Sequence, residues 1–131
     1  HMATFREGID ERNPHSQFLV VRHNCAPIAY VNYWLVIDDA HIANFAVSPA
    51  YRRVGIGKYL LAKSLEHIRD QGGEQVGLEV RASNIPAQNL YRQLGFRLIH
   101  IRKQYYQDNG EAAYIFQIDN LSKIDLWVGD C

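Results

Sequence analysis

Cysteine is scarce in this chain. It has two in 131 residues, Cys25 and Cys131, and neither belongs to a CxxC pair. That argues against a zinc ribbon or a disulfide-stapled scaffold and fits a reducing compartment. The six histidines show no HxxxH-type spacing, so no metal is expected. A charge excess is also missing, because 14 basic side chains balance 14 acidic ones. Nucleic-acid binders usually carry a basic excess, so no nucleic-acid partner is expected. No apolar run approaches the ~18 residues of a membrane span, so no membrane role is expected either. No secretory signal is visible and His1-Met2 reads as a cloning scar, which makes the expected location cytoplasmic. Repeats, linkers and low-complexity stretches are absent too.

What remains is an ordinary globular composition, 47% apolar and 21% charged. The length suits one domain covering residues 1–131, enough to bury roughly two thirds of its unfolded surface. The opening "ATFREGIDERNPHS" is polar and reads as a short helix stopped before Pro14. Three strand-like runs follow at 17–22, 28–37 and 40–47, with short connections that predict an antiparallel meander. A helix is predicted from Ile56 to Gln71, with Leu61, Leu65 and Ile68 on one stripe and Gly72-Gly73 at its end. "QVGLEV" (75–80) reads as a strand. "ASNIPAQNLYRQLGF" reads as a second helix, capped by Ser83 or Asn84, with Pro86 in its first turn and Gly95 at its close. Strands at 97–106 and 112–118 complete the order, and the tail 119–131 has no assignment. The fold class implied is α/β, a mixed, mostly antiparallel central sheet flanked by helices.

The stretch "AVSPAYRRVGIGKYLL" (46–61) runs from a strand through a basic turn with two glycines into a helix. Such a turn suits an anion, because glycine lets the backbone approach closely and the helix N-terminus points N–H groups outward. A P-loop is excluded: Arg52 stands where its first glycine belongs, and Tyr59 follows Gly57-Lys58. The dinucleotide fingerprint fails at Leu60, where the third glycine belongs. The pattern [QR]xxGx[GA] is met at each fixed position by Arg52-Arg53-Val54-Gly55-Ile56-Gly57.

That segment resembles the acetyl-CoA loop of the GNAT superfamily of N-acetyltransferases. "LEVRASNIPAQNLYRQLGF" (78–96), followed by "IRKQYY", is similar to the RimI-type branch, which acetylates protein N-termini, and to the archaeal N-terminal acetyltransferases. The resemblance covers roughly residues 17–118. It implies acetyl-CoA as co-substrate, held by Arg53, Val54, Gly55, Ile56, Gly57 and Lys58 at the turn. It also implies that the backbone of Phe45, Ala46 and Val47 pairs with the pantetheine arm, and that Asn84 makes a further contact, beside its plainer reading as a helix cap. Glu79 is implied as the proton acceptor. The alternation of Val76, Leu78 and Val80 puts it on the opposite face with Gly77, where it otherwise reads as a solvated strand carboxylate. Tyr91 is implied as the acid near the cofactor sulfur, or else as a packed core tyrosine. Tyr105 and Tyr106 are candidates for the acceptor peptide site, or ordinary strand aromatics.

The acceptor implied is a protein or peptide N-terminus, by resemblance that of a ribosomal protein. Two other readings stand beside it: a GNAT acting on a lysine or small amine, and a non-catalytic acetyl-CoA-binding module. GNAT members usually open with a strand and one or two helices that wall the acceptor site. Only a short polar segment precedes residue 17 here, so the sheet is expected to lack that N-terminal strand and helix. The oligomeric state stays open.

Overall fold

The computed structural model describes residues 4–9 (backbone), 15–52 and 55–124. Seven strands and two α-helices alternate along them: β1 Thr4–Ile9, β2 Ser16–His23, β3 Ala26–Val36, β4 Asp39–Val47, α1 Ile56–Asp70, β5 Gln75–Arg81, α2 Ile85–Gln93, β6 Arg97–Arg102 and β7 Ala113–Ile118. They form one sheet in the order β1-β2-β3-β4-β5-β7-β6. All neighbours are antiparallel except β4 and β5, which run parallel. This is the mixed, mostly antiparallel sheet that the element order implied. Among the described residues no helix is long and apolar enough to cross a membrane.

The opening segment corrects the expected helix, and with it the expected loss of an N-terminal strand. Residues 4–9 pair with β2 from Thr4↔Arg22 to Ile9↔Gln17. A single short polar segment is marginal as an isolated helix, whereas the outer edge of β2 offers Thr4–Ile9 a complete hydrogen-bond ladder. A second correction concerns β6, which ends at Arg102. Tyr105 and Tyr106 therefore lie in the β6–β7 loop, where Gln104 takes a positive φ of 53° and breaks the strand.

The core lies on one face of the sheet, under α1 and α2. Leu61, Leu65 and Ile68 are fully buried, as the helical stripe predicts, and meet Leu19, Val21, Val31, Val76, Leu78, Phe116 and Ile118. Burial of each such side chain contributes roughly 1.5–3 kcal/mol relative to exposure. Part of the unassigned tail belongs here as well. A 3-10 turn at Leu121–Lys123 drops Leu121 into the core, and the Leu121 and Ser122 N–H groups both donate to Glu74. Residues 125–131 lie outside the described chain.

Alternation along β5 is strict. Val76, Leu78 and Val80 are buried against the helices, and Gly77, Glu79 and Arg81 face the other way. Pairing with β4 covers only Asp39↔Gln75 through Ile42↔Leu78. Beyond that point, among the described residues, Ala43–Val47 and Glu79–Arg81 no longer pair with each other and the sheet forks.

Candidate active site

The turn after β4 forms one arm of the site. Ser48 N–H donates to the Ile28 carbonyl at 2.7 Å, and the Arg52 Nε–H donates to the Val47 carbonyl at 3.1 Å. The turn is thus fastened to the end of the strand. Gly55 then caps α1 with φ 84°, a left-handed conformation that a side chain would strain. The first α1 bond is Tyr59 N–H to Gly55 carbonyl, at 3.0 Å. Helix geometry therefore leaves the N–H groups of Ile56, Gly57 and Lys58 outside the helical ladder. A Cβ on Gly57 would lie 3.3 Å from Phe45 Cζ, 3.5 Å from Val47 Cγ2 and 3.7 Å from Leu90 Cδ2. Glycine here lets the helix start meet the end of β4 and the side of α2.

These features fit a long ligand that carries phosphates. Orphan helix N–H groups face one end, and the unpaired edge of β4 at Phe45, Ala46 and Val47 runs toward the fork. Of the residues expected to hold acetyl-CoA, Phe45, Ala46, Val47, Gly55, Gly57 and Lys58 gather at this arm, with Lys58 exposed. The Ile56 side chain turns into the core at 7% exposure, so only its backbone could serve. Arg53 and Val54 lie outside the described residues. Asn84 caps α2, its Oδ1 accepting from Ala87 N–H at 3.2 Å. Its plainer reading therefore holds.

Glu79 forms the other arm. It lines a cleft of about 240 Å³ together with Trp34, His41, Gly77, Arg102 and Gln117. Its Oε1 lies 3.7 Å from His41 Nε2, and the His41 ring stacks on Trp34 with centroids 5.3 Å apart. Glu79 Oε2 and His41 Nδ1 are both buried without a hydrogen-bond partner. A buried polar atom with no partner is costly, so this pair calls for a donor supplied from outside. The Tyr105 phenol faces the same carboxylate. Hydrogen bonding to Glu79, and then repulsion from its charge, hold the phenol above its ordinary pKa.

Tyr91 sits across the sheet from Glu79. It is 7% exposed, its ring packed near Phe96 and Phe116 at 5.8 and 6.0 Å. Burial, with a smaller contribution from Tyr106, pushes its phenol up to about 12. Tyr106 feels burial first and the Glu79 carboxylate second, both raising its pKa. It is the side chain whose surroundings reach from Tyr91 to Glu79. The structure thus brings Glu79 and Tyr105 together on the open face and keeps Tyr91 on the core face.

Against this geometry, the sequence model of the Acetyltransferase (GNAT) family matches residues 1–96. The chain belongs to the GNAT acetyltransferase family. A Bacillus subtilis relative, provisionally named a [ribosomal protein bS18]-alanine N-acetyltransferase, is 40% identical over 106 residues, 81% of this chain and 70% of its own length. An N-alpha-acetyltransferase of Sulfurisphaera tokodaii is 43% identical over 81 residues, 61% of this chain and 48% of its own length. The chain therefore spans about half the length of the second relative. Among solved structures, the ribosomal-protein-S18-alanine N-acetyltransferase from Escherichia coli superimposes with a TM-score of 0.77 at 32% identity, covering 90% of this chain and 74% of that one.

For a GNAT acetyltransferase, four neighbours of the cleft escaped the sequence reading: Trp34, His41, Arg102 and Gln117. His41 pairs with Gly77 in the parallel register, which carries its ring toward Glu79. The only signal in the sequence was its place on the third predicted strand. The register that gives it meaning is set by the helix between the strands, and no local pattern encodes that. Among the described residues no group of three His, Cys, Asp or Glu side chains is gathered so as to hold a metal ion.

Proposed function

We propose that this chain transfers the acetyl group of acetyl-CoA to the N-terminal α-amine of a protein, by likeness to its relatives that of a ribosomal protein. One observation carries the reading: the partnerless Glu79 Oε2, buried at the wall of the cleft beside His41. A protonated amine entering the cleft supplies the donor that this oxygen lacks, and loses a proton to it directly or through one water. The α-amine suits a single carboxylate base, since its ordinary pKa of ~7.7–8 lies well below the ~10.4 of lysine.

Acetyl-CoA, when bound, supplies the acetyl thioester. The N–H groups of Ile56, Gly57 and Lys58 are then the donors for its phosphates, with Gly55 and the Lys58 charge beside them, and the family resemblance assigns Arg53 and Val54 to the same ligand. The unpaired edge of Phe45, Ala46 and Val47 holds the extended arm in the manner of an added strand. Asn84 is a further contact from the start of α2. Glu79 takes the proton from the attacking amine, and Tyr91 acts on the leaving sulfur. A phenol at about 12 is a weaker acid than a thiol at ~8.5, so full transfer of its proton would cost about 5 kcal/mol. Tyr91 therefore serves mainly as a hydrogen-bond donor. Tyr105 and Tyr106 present phenols to the acceptor peptide.

Turnover with peptides that differ only in their first residue tests the reading. Peptides with a free small first residue are acetylated, and the same peptides with a blocked N-terminus and an internal lysine are not. Equal or faster acetylation of the blocked lysine peptide, or of a polyamine, overturns it in favour of a lysine or small-amine enzyme.

A further inference from the structure

Arg81 ends β5, two residues after Glu79 and on the same face, and closes a set of contacts that the proposed chemistry does not use. Its guanidinium donates to both carboxylate oxygens of Asp108, at 3.2 and 3.0 Å, and to Glu111 Oε1 at 3.3 Å. It also lies 4.0 Å from the ring centroid of Tyr106. Glu111 is pinned in turn, its Oε2 accepting from Ser83 N–H at 2.6 Å. Its carbonyl accepts from Tyr105 N–H and Tyr106 N–H, both at 3.1 Å. Tyr106 meets Tyr105 edge-on at 5.1 Å, and Tyr105 faces Glu79. The contacts run unbroken from Arg81 through the loop to the carboxylate.

Little of this serves stability. Arg81 and Asp108 are 38% and 62% exposed, and a surface ion pair contributes little, although Glu111 is more buried at 13%. The arrangement gives geometry instead. Backbone bonds to the Glu111 carbonyl close the loop on itself, and a planar fork held by two carboxylates and stacked on an aromatic ring ties it to the end of β5. We propose that Arg81 is a positioning residue for the acceptor: by clamping the 103–112 loop through Asp108, Glu111 and the Tyr106 ring, it sets Tyr105 against Glu79 and determines how the first residues of the acceptor are held. This rests on the reading of the Glu79 cleft as the acceptor site.

The test compares Arg81→Ala, Arg81→Lys and Asp108→Asn with the unaltered protein. It uses a free small-residue peptide, or whichever amine the unaltered protein turns over. Acceptor KM is expected to rise about tenfold or more in Arg81→Ala while kcat falls much less, the signature of lost binding rather than lost chemistry. Acetyl-CoA affinity and melting temperature stay close to the starting values. Arg81→Lys keeps the charge without the fork and restores little; Asp108→Asn shows a smaller form of the same change. Amide exchange at Tyr105 and Tyr106 quickens in Arg81→Ala and stays unchanged in β5 and β7. Unaltered acceptor KM, or a parallel loss of acetyl-CoA affinity, overturns the inference. So does unchanged loop exchange, whatever the activity. An unaltered protein that acetylates only lysine or polyamine overturns the N-terminal reading alone, because the KM split in that amine still reports on the clamp.

Discussion

Glu79 and His41 face each other across the parallel pair of strands, Oε1 to Nε2 at 3.7 Å, each with a second buried polar atom that nothing satisfies. The Tyr105 phenol reaches the same carboxylate, yet Glu79 Oε2 and His41 Nδ1 keep no hydrogen-bond partner. Replacing Glu79 by Gln keeps the shape and removes the proton acceptor. Turnover is expected to fall ~10²–10⁴-fold, the usual contribution of a general base. Acetyl-CoA affinity should hardly change. The deficit shrinks as pH rises through the α-amine range of ~7.7–8, because more acceptor is already neutral. The ratio of mutant to unaltered kcat/KM, measured from mildly acidic to basic pH, checks this, and a flat ratio excludes Glu79 as the base.

Gly57 tests the other arm. Its missing Cβ would stand 3.3 Å from the Phe45 ring, so a side chain there makes that ring give by a few tenths of an ångström and crowds the junction of α1 and β4. Acetyl-CoA at a hundredfold excess over its dissociation constant should stabilise the unaltered protein by ~2.7 kcal/mol. Gly57→Glu, which also brings a negative charge to the anion site, should abolish that gain. Thermal melts with acetyl-CoA, NADH and ATP read the outcome. A larger shift with either nucleotide argues against the assigned ligand.

Tyr91 gives the protein an alkaline weakness. Its phenol is raised to about 12 in the fold, against ~10 in an unfolded chain. A raised acid contributes stability that is complete below the unfolded value and lost as pH climbs from there to the folded value. The window is therefore roughly pH 10 to 12, and the loss amounts to about 2–3 kcal/mol. Tyr91→Phe should remove that slope from denaturant midpoints measured across the window. It should also lower turnover without weakening acetyl-CoA binding.

Leu121 is fully buried in the 3-10 turn of a tail to which the sequence pattern gives no element. Leu121→Ala is expected to cost ~2–5 kcal/mol. Urea titration measures it, and a change below 1 kcal/mol, well under the cost of emptying a core site, would mean that the tail docks weakly.

The elements carried by strong periodic signals were legible in the sequence. Leu61, Leu65 and Ile68 announced α1, and Asn84 with Pro86 announced the start of α2. The strict alternation of Val76, Leu78 and Val80 put Glu79 on the open face. Two kinds of feature were not legible. Tyr105 and Tyr106 follow an apolar run and read as its continuation; the strand ends instead at Arg102, Gln104 takes a positive φ, and the loop then closes on Glu111. His41 and Arg81 owe their places to long-range register and to side chains 27 to 38 residues away. A polar opening segment looked helical because helix and edge strand differ there only in whether β2 offers a partner.

Only four register pairs, Asp39↔Gln75 to Ile42↔Leu78, stitch the meander to the remaining strands. The sheet is thus two leaves on a short spine, with α1 as the binding cloth between them. Both leaves share one core beneath the helices, so the short spine is the place where local opening is expected to separate them first. A ligand paired to the β4 edge and lying in the fork would bridge the two leaves. Amide exchange in the empty protein should then show two opening free energies, one for β1–β4 and one for β5–β7. With the fork filled, the two should merge into one.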